Sequence, residues 1–154
     1  MNVNDKMVEM GISIPNPPPP GGIYSPAVEF SSNLVYSSGC GPQVDGKPLF
    51  LGKLGSDLTL EQGQQAGVAC MKNVLSVVRQ QIGDLSRIKR VVKILALVAS
   101  DNNFYDQPAV MNPASQLLMD IFGEEAGKAA RSAIGVNVLP GNIPVEIEVL
   151  FELK

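Results

Sequence analysis

An arginine and a group of carboxylates near the C-terminus form a pattern that could bind and process a small acid. Arg131 lies among small residues in a β-prone run, and the last β-prone run carries Glu146, Glu148 and Glu152. A planar guanidinium can donate two parallel hydrogen bonds to a carboxylate, and a nearby glutamate can activate water. From the residues alone, the alternative is that Arg131 pairs with an acidic neighbour and that Glu148 and Glu152 are merely solvated.

The amino-acid composition excludes several kinds of catalysis. Histidine is absent from the 154 residues, so Ser-His and Cys-His pairs and imidazole metal sites are impossible within one chain. Cys40 and Cys70 are too few and too far apart for a zinc motif or a disulfide scaffold. We therefore expect no metal site and a reduced, cytoplasmic setting.

The charge balance argues against nucleic-acid and membrane partners. Twelve Lys and Arg against 15 Asp and Glu give a net charge of -3, and no polybasic run is present to neutralise phosphates. The apolar run Val91 to Ala99 is half the length needed to cross a bilayer. Met1 to Ile14 carries charges among its apolar residues, so it does not resemble a signal peptide.

The chain divides into an N-terminal lead-in over residues 1–20 and a single domain over residues 21–154. The lead-in contains a proline-rich segment that can neither join a strand ladder nor continue a helix, which predicts an extended spacer; the alternative is a proline-rich recognition ligand. Two short strands, Ala27 to Ser31 and Leu34 to Ser38, are predicted to form a hairpin around Ser32-Asn33.

Helical spacing of small and apolar residues predicts a helix within Thr59 to Ile82, capped by Thr59 and Gln62. Its small face, which includes Cys70, is predicted to approach the sheet closely, with Cys70 in the core. Ile88 to Val98 alternates early and becomes almost continuously apolar from Ile94 to Val98, as in a central strand. A second helix is predicted over Pro113 to Phe122, ending at Gly123.

Two strands complete the chain, and their alternation predicts which side chains share a face. Ser132, Ile134, Val136 and Val138 are predicted to lie on a buried face, and so are Val145, Ile147, Val149 and Phe151. Arg131, Ala133, Glu146 and Glu148 then face the opposite way. The resulting order, ββαβαββ, predicts an α+β fold with one layer of helices on a mixed sheet.

Four segments read together resemble a known family: Gly22 to Ala27, Val35 to Gly39, Ala130 to Ala133, and Leu139-Pro140 followed by Val145 to Glu148. In this order they are similar to the Rid (reactive-intermediate deaminase, YjgF-type) family, often labelled "endoribonuclease L-PSP". The most specific part is the terminal block with its arginine, Leu-Pro turn and acidic strand. The similarity spans roughly Gly21 to Leu153.

The resemblance implies a chorismate-mutase-like subunit that forms a homotrimer, with ligand pockets between adjacent subunits. It implies that Arg131 holds the carboxylate of a 2-imino or 2-oxo acid and that Glu146 positions the hydrolytic water, without a cofactor. Tyr24, Gly39 and Asn112 match other pocket positions of the family. From the residues alone, Tyr24 could be a strand anchor, Gly39 a strand terminator and Asn112 a helix cap.

An antiparallel hairpin between the last two strands would place the side chains of Arg131 and Glu146 roughly 20 Å apart within one chain. On that geometry, the two residues can share a ligand only across chains. The geometry fails if another strand separates the two.

Three positions depart from the family pattern and leave the substrate open. Pro26 replaces the usual Gln, Cys40-Gly41-Pro42 replaces the usual Gln-Ile-Pro, and Ala133 replaces a pocket Cys. Cys40 is either an incidental small residue or a substitute for that thiol. The expected function is hydrolysis of a small 2-imino acid, such as the tautomer of 2-aminoacrylate, to the 2-oxo acid and ammonia. The alternative is a trimer that binds small carboxylates without turnover.

Overall fold

A mixed sheet of five strands carries a layer of helices on one of its faces, as the sequence predicts. The structure is a computed structural model that describes residues 1–154. The helices are α1 (Val3–Glu9), α2 (Leu60–Ile82), α3 (Gln107–Phe122) and α4 (Glu124–Gly127). The strands are β1 (Ala27–Phe30), β2 (Leu34–Ser37), β3 (Gln43–Val44), β4 (Lys47–Pro48), β5 (Ile88–Ala99), β6 (Ala130–Val136) and β7 (Val145–Leu153). To the predicted ββαβαββ order the structure adds α1, α4 and a separate ribbon made of β3 and β4.

The strand order of the main sheet is β1-β2-β7-β5-β6. The predicted hairpin between the last two strands is therefore wrong, because β5 lies between β6 and β7. It pairs with β6 in parallel and with β7 antiparallel. The physical reason is that β5 is continuously apolar from Ile94 to Ala99 and is best buried with strands on both sides, while α3 and α4 supply the crossover that a parallel pair requires.

The parallel register also reverses the predicted faces of β6. Arg131 is level with Ile94, whose side chain is buried beneath the helices, whereas Ser132 is level with Leu95. Arg131 and Ala133 thus point to the helical side of the sheet. Ser132 points to the other side, where Lys93 Nζ donates to its Oγ (2.8 Å).

We call the side of the sheet that no helix covers the open face. In β7 this face carries Glu146, Glu148, Leu150 and Glu152, alternating with buried apolar residues. Large apolar and aromatic side chains are exposed on the same face: Val28 (50%), Phe30 (43%), Tyr36 (38%) and Ile134 (48%). Large apolar side chains exposed on one face of a sheet are typical of an association interface.

The two long helices differ from prediction in two respects: α3 begins earlier than expected, and the small face of α2 contacts a helix as well as the sheet. The capping box at α2 is confirmed by bonds of 3.2 and 2.9 Å between Thr59 and Gln62. The small face of α2 packs against α3 as well as against the sheet. A methyl group on Gly67 would lie 3.4 Å from Val110 O of α3, whereas Cys70 Sγ donates to Val145 O of β7 (3.5 Å).

Helix α3 begins six residues before the predicted start at Pro113. Pro108 occupies its first turn, the position that tolerates a missing N–H, and Pro113 lies inside the helix. Buried Val110, Met111 and Ala114 keep the segment helical despite that proline. Asn112 is consequently a mid-helix residue, and the alternative that it caps the helix is wrong.

The first twenty residues pack on the helical layer, with α1 against α3 and the segment after it against α2. Helix α1, which the sequence did not predict, buries Met7 to 7% exposure. Beyond it the chain runs without regular structure to Pro20, and Ser76 Oγ of α2 donates to Pro15 O (2.7 Å). The lead-in therefore follows a defined path over the helical layer.

Gly127, the last residue of α4, lies against the backbone of α3 just before β6 begins. Replacing it with alanine tests whether this close approach is required for stability. A Cβ at Gly127 would lie 2.7 Å from Leu118 C and 2.7 Å from Met119 Cα, and backbone atoms cannot move aside as a side chain can. We expect Gly127→Ala to lower the free energy of unfolding in urea by about 1–3 kcal/mol. Gly22→Ala, whose new methyl meets only Tyr24 ring carbons at 3.5 Å, is the control. Equal stability of the two variants at one protein concentration would contradict the close approach.

Candidate functional site

Glu146 lines a cavity of about 340 Å³ at the N-terminal end of β7. The strand is central, between β2 and β5, and its alternation turns Glu146 away from the helices. Next to it, Cys40 and Ile147 exchange backbone hydrogen bonds of 2.9 and 3.1 Å, which brings the loop after β2 against the strand. The cavity lining includes Tyr24, Gly39, Cys40 and Glu146.

Burial raises the pKa of Glu146, and the neighbouring carboxylate of Glu148 raises it further. Neither effect is offset by a cation, because none of the chain's four salt bridges involves Glu146. A carboxylate with a raised pKa is a stronger base than an exposed one, so it is better suited to accept a proton from water near neutral pH.

Gly39 leaves the space that the Glu146 side chain occupies. A Cβ at this position would overlap Glu146 Oε1 and would lie 2.8 Å from Glu146 Cδ. The loop that carries Gly39 is held by Asn73 of α2, whose Nδ2 donates to Gly41 O and Gln43 O, both at 2.9 Å. The close approach of backbone to carboxylate, rather than the end of a strand, accounts for glycine here.

Cys40 lines the cavity as a protonated thiol. Burial, with a smaller contribution from the Glu146 carboxylate, raises the pKa of Cys40 to about 12. Because the thiolate is the nucleophilic form of cysteine, Cys40 is unsuited to nucleophilic attack at neutral pH. Burial likewise raises the pKa of Cys70, whose exposed fraction is 0%; this is the core position predicted for it.

Tyr24 reaches the same cavity from the segment before β1. Its Oη accepts a hydrogen bond from the Gly21 N–H (2.9 Å), and the residue is 49% exposed. The hydroxyl hydrogen is free to donate to a ligand, since Oη acts only as an acceptor in this contact.

Arg131 lies apart from this cavity and touches α3. Its Nη1 donates to Asn112 Oδ1 (3.1 Å) and Ser115 Oγ (3.0 Å), and its Nη2 donates to Pro108 O (3.4 Å). No carboxylate pairs with it, so the alternative of an acidic partner is wrong. A guanidinium has five N–H donors, and Nε–H and one Nη2–H of Arg131 have no acceptor in the chain.

The structure thus assembles the candidate residues into two clusters. Tyr24, Gly39 and Glu146 line one cavity, while Asn112 contacts Arg131, and Ala133 follows two residues along the same strand on the same face. Arg131 is level with Val149 across β5, which separates its Cα from that of Glu146 by about 14 Å at standard strand dimensions. This value replaces the 20 Å expected from the hairpin, and the two side chains lie on opposite sides of the sheet.

Two features of these clusters escaped sequence reasoning. Ser115 supports Arg131, and its spacing of three from Asn112 on one helix was the available signal; it was hidden by the wrong start of α3. Pro18, Pro19 and Pro20 line the cavity of Glu146, although the proline run was interpreted only as a spacer.

The fold and these two clusters agree with a family match over nearly the whole chain. Residues 4–153 match the family model described as "YjgF/chorismate mutase-like, putative endoribonuclease". The protein belongs to this family, which confirms the resemblance seen in the sequence.

Relatives with similar chains include proteins from three organisms. Protein TCP17 of Trypanosoma cruzi is 40% identical over 145 residues, which cover 94% of this chain and 90% of that protein. The crystal structure of Atu1372 from Agrobacterium tumefaciens, a protein of unknown function, is 36% identical with a TM-score of 0.89, covering 99% of this chain and 92% of the other. A Shewanella oneidensis structure described as a "putative endoribonuclease" is 29% identical with a TM-score of 0.93, covering 99% and 100%. None of the helices of the present chain combines the length and apolar character needed to span a bilayer.

The raised pKa of Glu146 makes a prediction about stability. A carboxyl group whose pKa is higher in the folded state binds its proton more tightly there, so its ionised form destabilises the fold at pH values above that folded pKa. We expect Glu146→Gln to increase the free energy of unfolding at neutral pH. The increase should shrink as the pH falls through the folded pKa and vanish below the unfolded value.

Glu152 on the same strand provides the matched control with the opposite sign. Hydrogen bonds from Lys89 and Arg90, each 2.7 Å, lower its pKa. Its stabilising contribution is present above the unfolded pKa and is lost as the pH falls through the folded one, so Glu152→Gln should decrease stability at neutral pH. Urea denaturation across pH 3–8, a range spanning carboxyl titration, measures both; a Glu146→Gln profile of the same sign as Glu152→Gln would contradict the assigned shift.

Proposed function

We propose that this protein hydrolyses small reactive 2-imino acids to 2-oxo acids and ammonia, in pockets between adjacent subunits of a homotrimer. The observation that carries the proposal is the division of the site: an arginine with unused donors and no acid partner on one face, and a carboxylate with a raised pKa in a cavity on the other. The arginine cluster has no carboxylate to act on water, and the carboxylate cluster has no cation to bind an acidic substrate.

A second copy of the chain is the natural way to unite the clusters. The open face exposes Val28, Phe30, Tyr36 and Ile134 on the same side of the sheet as Glu146, and burying these side chains against a neighbour would be favourable. Because β6 is an edge strand, Arg131 sits where a neighbouring subunit can reach it. A ring in which each subunit presents Arg131 to the Glu146 cavity of the next closes with three copies in the proposed assembly.

In the proposed reaction, Arg131 binds the substrate and Glu146 acts on water. Nε–H and the remaining Nη2–H of Arg131 donate to the substrate carboxylate, while Asn112 and Ser115 hold the guanidinium in place. Glu146 accepts a proton from water as the oxygen attacks the imine carbon, and the proton then passes to the nitrogen. As the C–N bond breaks, the hydroxyl group of the adduct gives its proton through Glu146 to the departing ammonia, so that R–C(=NH2+)–COO− and water give R–CO–COO− and NH4+.

The departures from the family pattern leave this reaction possible. Ala133 removes a thiol from the wall near Arg131, but no sulfur atom takes part in the steps above. Cys40 lines the Glu146 cavity as a protonated thiol, and it takes no part in the proposed reaction. Both cysteines are free, which is compatible with the cytoplasmic setting that we retain as part of the proposal.

Turnover by single variants tests the two proposed roles. With 2-aminoacrylate supplied by a dehydratase, release of pyruvate and ammonia should exceed the spontaneous rate. Arg131→Gln should lower kcat/KM about 10- to 100-fold through loss of charged hydrogen bonds, and Glu146→Gln should lower kcat about 10²–10⁴-fold. Arg87→Gln, at an exposed arginine 3.7 Å from Glu29, should retain activity.

The same assay separates the proposed enzyme from a binder. If calorimetry shows pyruvate binding that depends on Arg131 but no turnover, the chain is the non-catalytic carboxylate-binding trimer. Robust cleavage of RNA that requires Arg131 would instead favour the endoribonuclease activity named in the family description.

Mixing the two inactive variants tests whether the site spans two chains. In a trimer assembled at random from equal amounts of Arg131→Gln and Glu146→Gln subunits, each mixed ring contains one native interface, so about a quarter of all sites should be native. Activity should return to about that fraction of the unmodified protein after co-refolding. If the mixture stays as inactive as the separate variants, Arg131 and Glu146 do not serve one site across chains.

A further inference from the structure

The proline-rich segment forms part of the wall of the cavity that holds Glu146. We call residues 14–21 the proline arm. Pro18, Pro19, Pro20 and Gly21 of the arm line the cavity together with Glu146. The segment that the sequence presented as a spacer therefore lies at the candidate site.

The arm is fixed to the helical layer at its N-terminal end. Pro15 O accepts hydrogen bonds from Ser76 Oγ (2.7 Å) and from Arg79 Nη2 (3.1 Å), and Ser76 is only 1% exposed. At the other end, the Gly21 N–H donates to Tyr24 Oη (2.9 Å). Consecutive prolines between these anchors favour a stiff extended backbone, so the arm is a preformed wall.

The chemistry of the cavity wall favours an apolar ligand group. Six prolines of the lining contribute ring methylenes and no backbone N–H, and they outnumber its polar side chains, which are Tyr24, Ser38, Gln43 and Glu146. Glu146 is the only charged residue among the 17 that line the cavity. An acidic side chain on the substrate would meet Glu146 and be repelled.

The size of the cavity indicates how long an apolar side chain the substrate can have. In the single chain its volume of about 340 Å³ corresponds to roughly ten water molecules at about 30 Å³ each, a space that the substrate shares with the guanidinium of a neighbouring subunit in the proposed trimer. A substrate with a methyl side chain would displace few of them from the apolar wall, whereas a side chain of four carbons would displace more and bury its own surface.

We infer that the proline arm is a specificity-determining wall that selects 2-imino acids with aliphatic side chains of about four carbons over those with a methyl group. This inference rests on the proposed function and adds the substrate class. The side chain packs against Pro18 and Pro19 while the reacting carbon faces the water held by Glu146.

The test compares two substrates in the full-length protein. An amino-acid oxidase with catalase generates the 2-imino acids of leucine and alanine, and their hydrolysis is followed against the spontaneous rate. We expect kcat/KM to be at least about tenfold higher for the leucine-derived substrate, since even one methylene can contribute that factor in an apolar pocket. The double variant Pro18→Ala, Pro19→Ala should reduce this ratio about tenfold, mainly by slowing the leucine-derived substrate.

Pro17→Ala provides the matched control, because Pro17 belongs to the same arm but is not among the residues that line this cavity. It should leave the ratio unchanged. If the unmodified protein turns over both substrates equally, or if the double variant keeps the ratio of the unmodified protein, the inference is overturned while the proposed hydrolysis stands.

Binding decides the inference if no imino acid is hydrolysed. Calorimetry with 4-methyl-2-oxopentanoate and pyruvate compares the same two side chains without chemistry. Tighter binding of the longer acid that is lost in the double variant but kept in Pro17→Ala supports the wall, even though the proposed enzyme is then wrong. Equal affinities for the two acids would overturn it.

Discussion

The pairing of β5 with both β6 and β7 decides where every candidate group in this protein lies. Because β5 and β6 are parallel, Arg131 takes the level of Ile94 and turns toward α3. Because β5 and β7 are antiparallel, Glu146 takes the level of Leu97 and turns toward the open face. One apolar strand, satisfied on both edges, thus separates the arginine from the carboxylate by its own width and by the thickness of the sheet.

Because of this separation, the open face has two roles in the proposed assembly: it carries Glu146, and it forms the contact between subunits. Phe30, Tyr36 and Ile134 expose apolar surface to solvent in an isolated chain, and they lie on the same face of the sheet as Glu146. Association that buries them would also bring a second sheet edge near the carboxylate. In the proposed trimer, the same apolar surface that drives assembly therefore also completes the site.

The candidate site is built from features that do not serve stability. Glu146 is partly buried with no cation beside it, and Gly39 gives up a side chain so that the carboxylate fits. Arg131 keeps two donors without acceptors in the chain, although Asn112 and Ser115 hold the rest of the guanidinium. Groups held ready at the expense of folding energy are typical of functional sites, and the anchored proline arm adds a stiff wall beside them.

The sequence by itself determined the order of the main-sheet strands and the two long helices along the chain, the α2 cap and the choice of candidate residues, because these depend on local capping, periodicity and motif similarity. It did not determine the start of α3, where packing of Val110 and Met111 overrides Pro113. It also did not determine the neighbour of β6. Strand partners are chosen by long-range burial and crossover geometry rather than by adjacent residues, so only the tertiary structure could decide that Arg131 and Glu146 face opposite sides of one sheet.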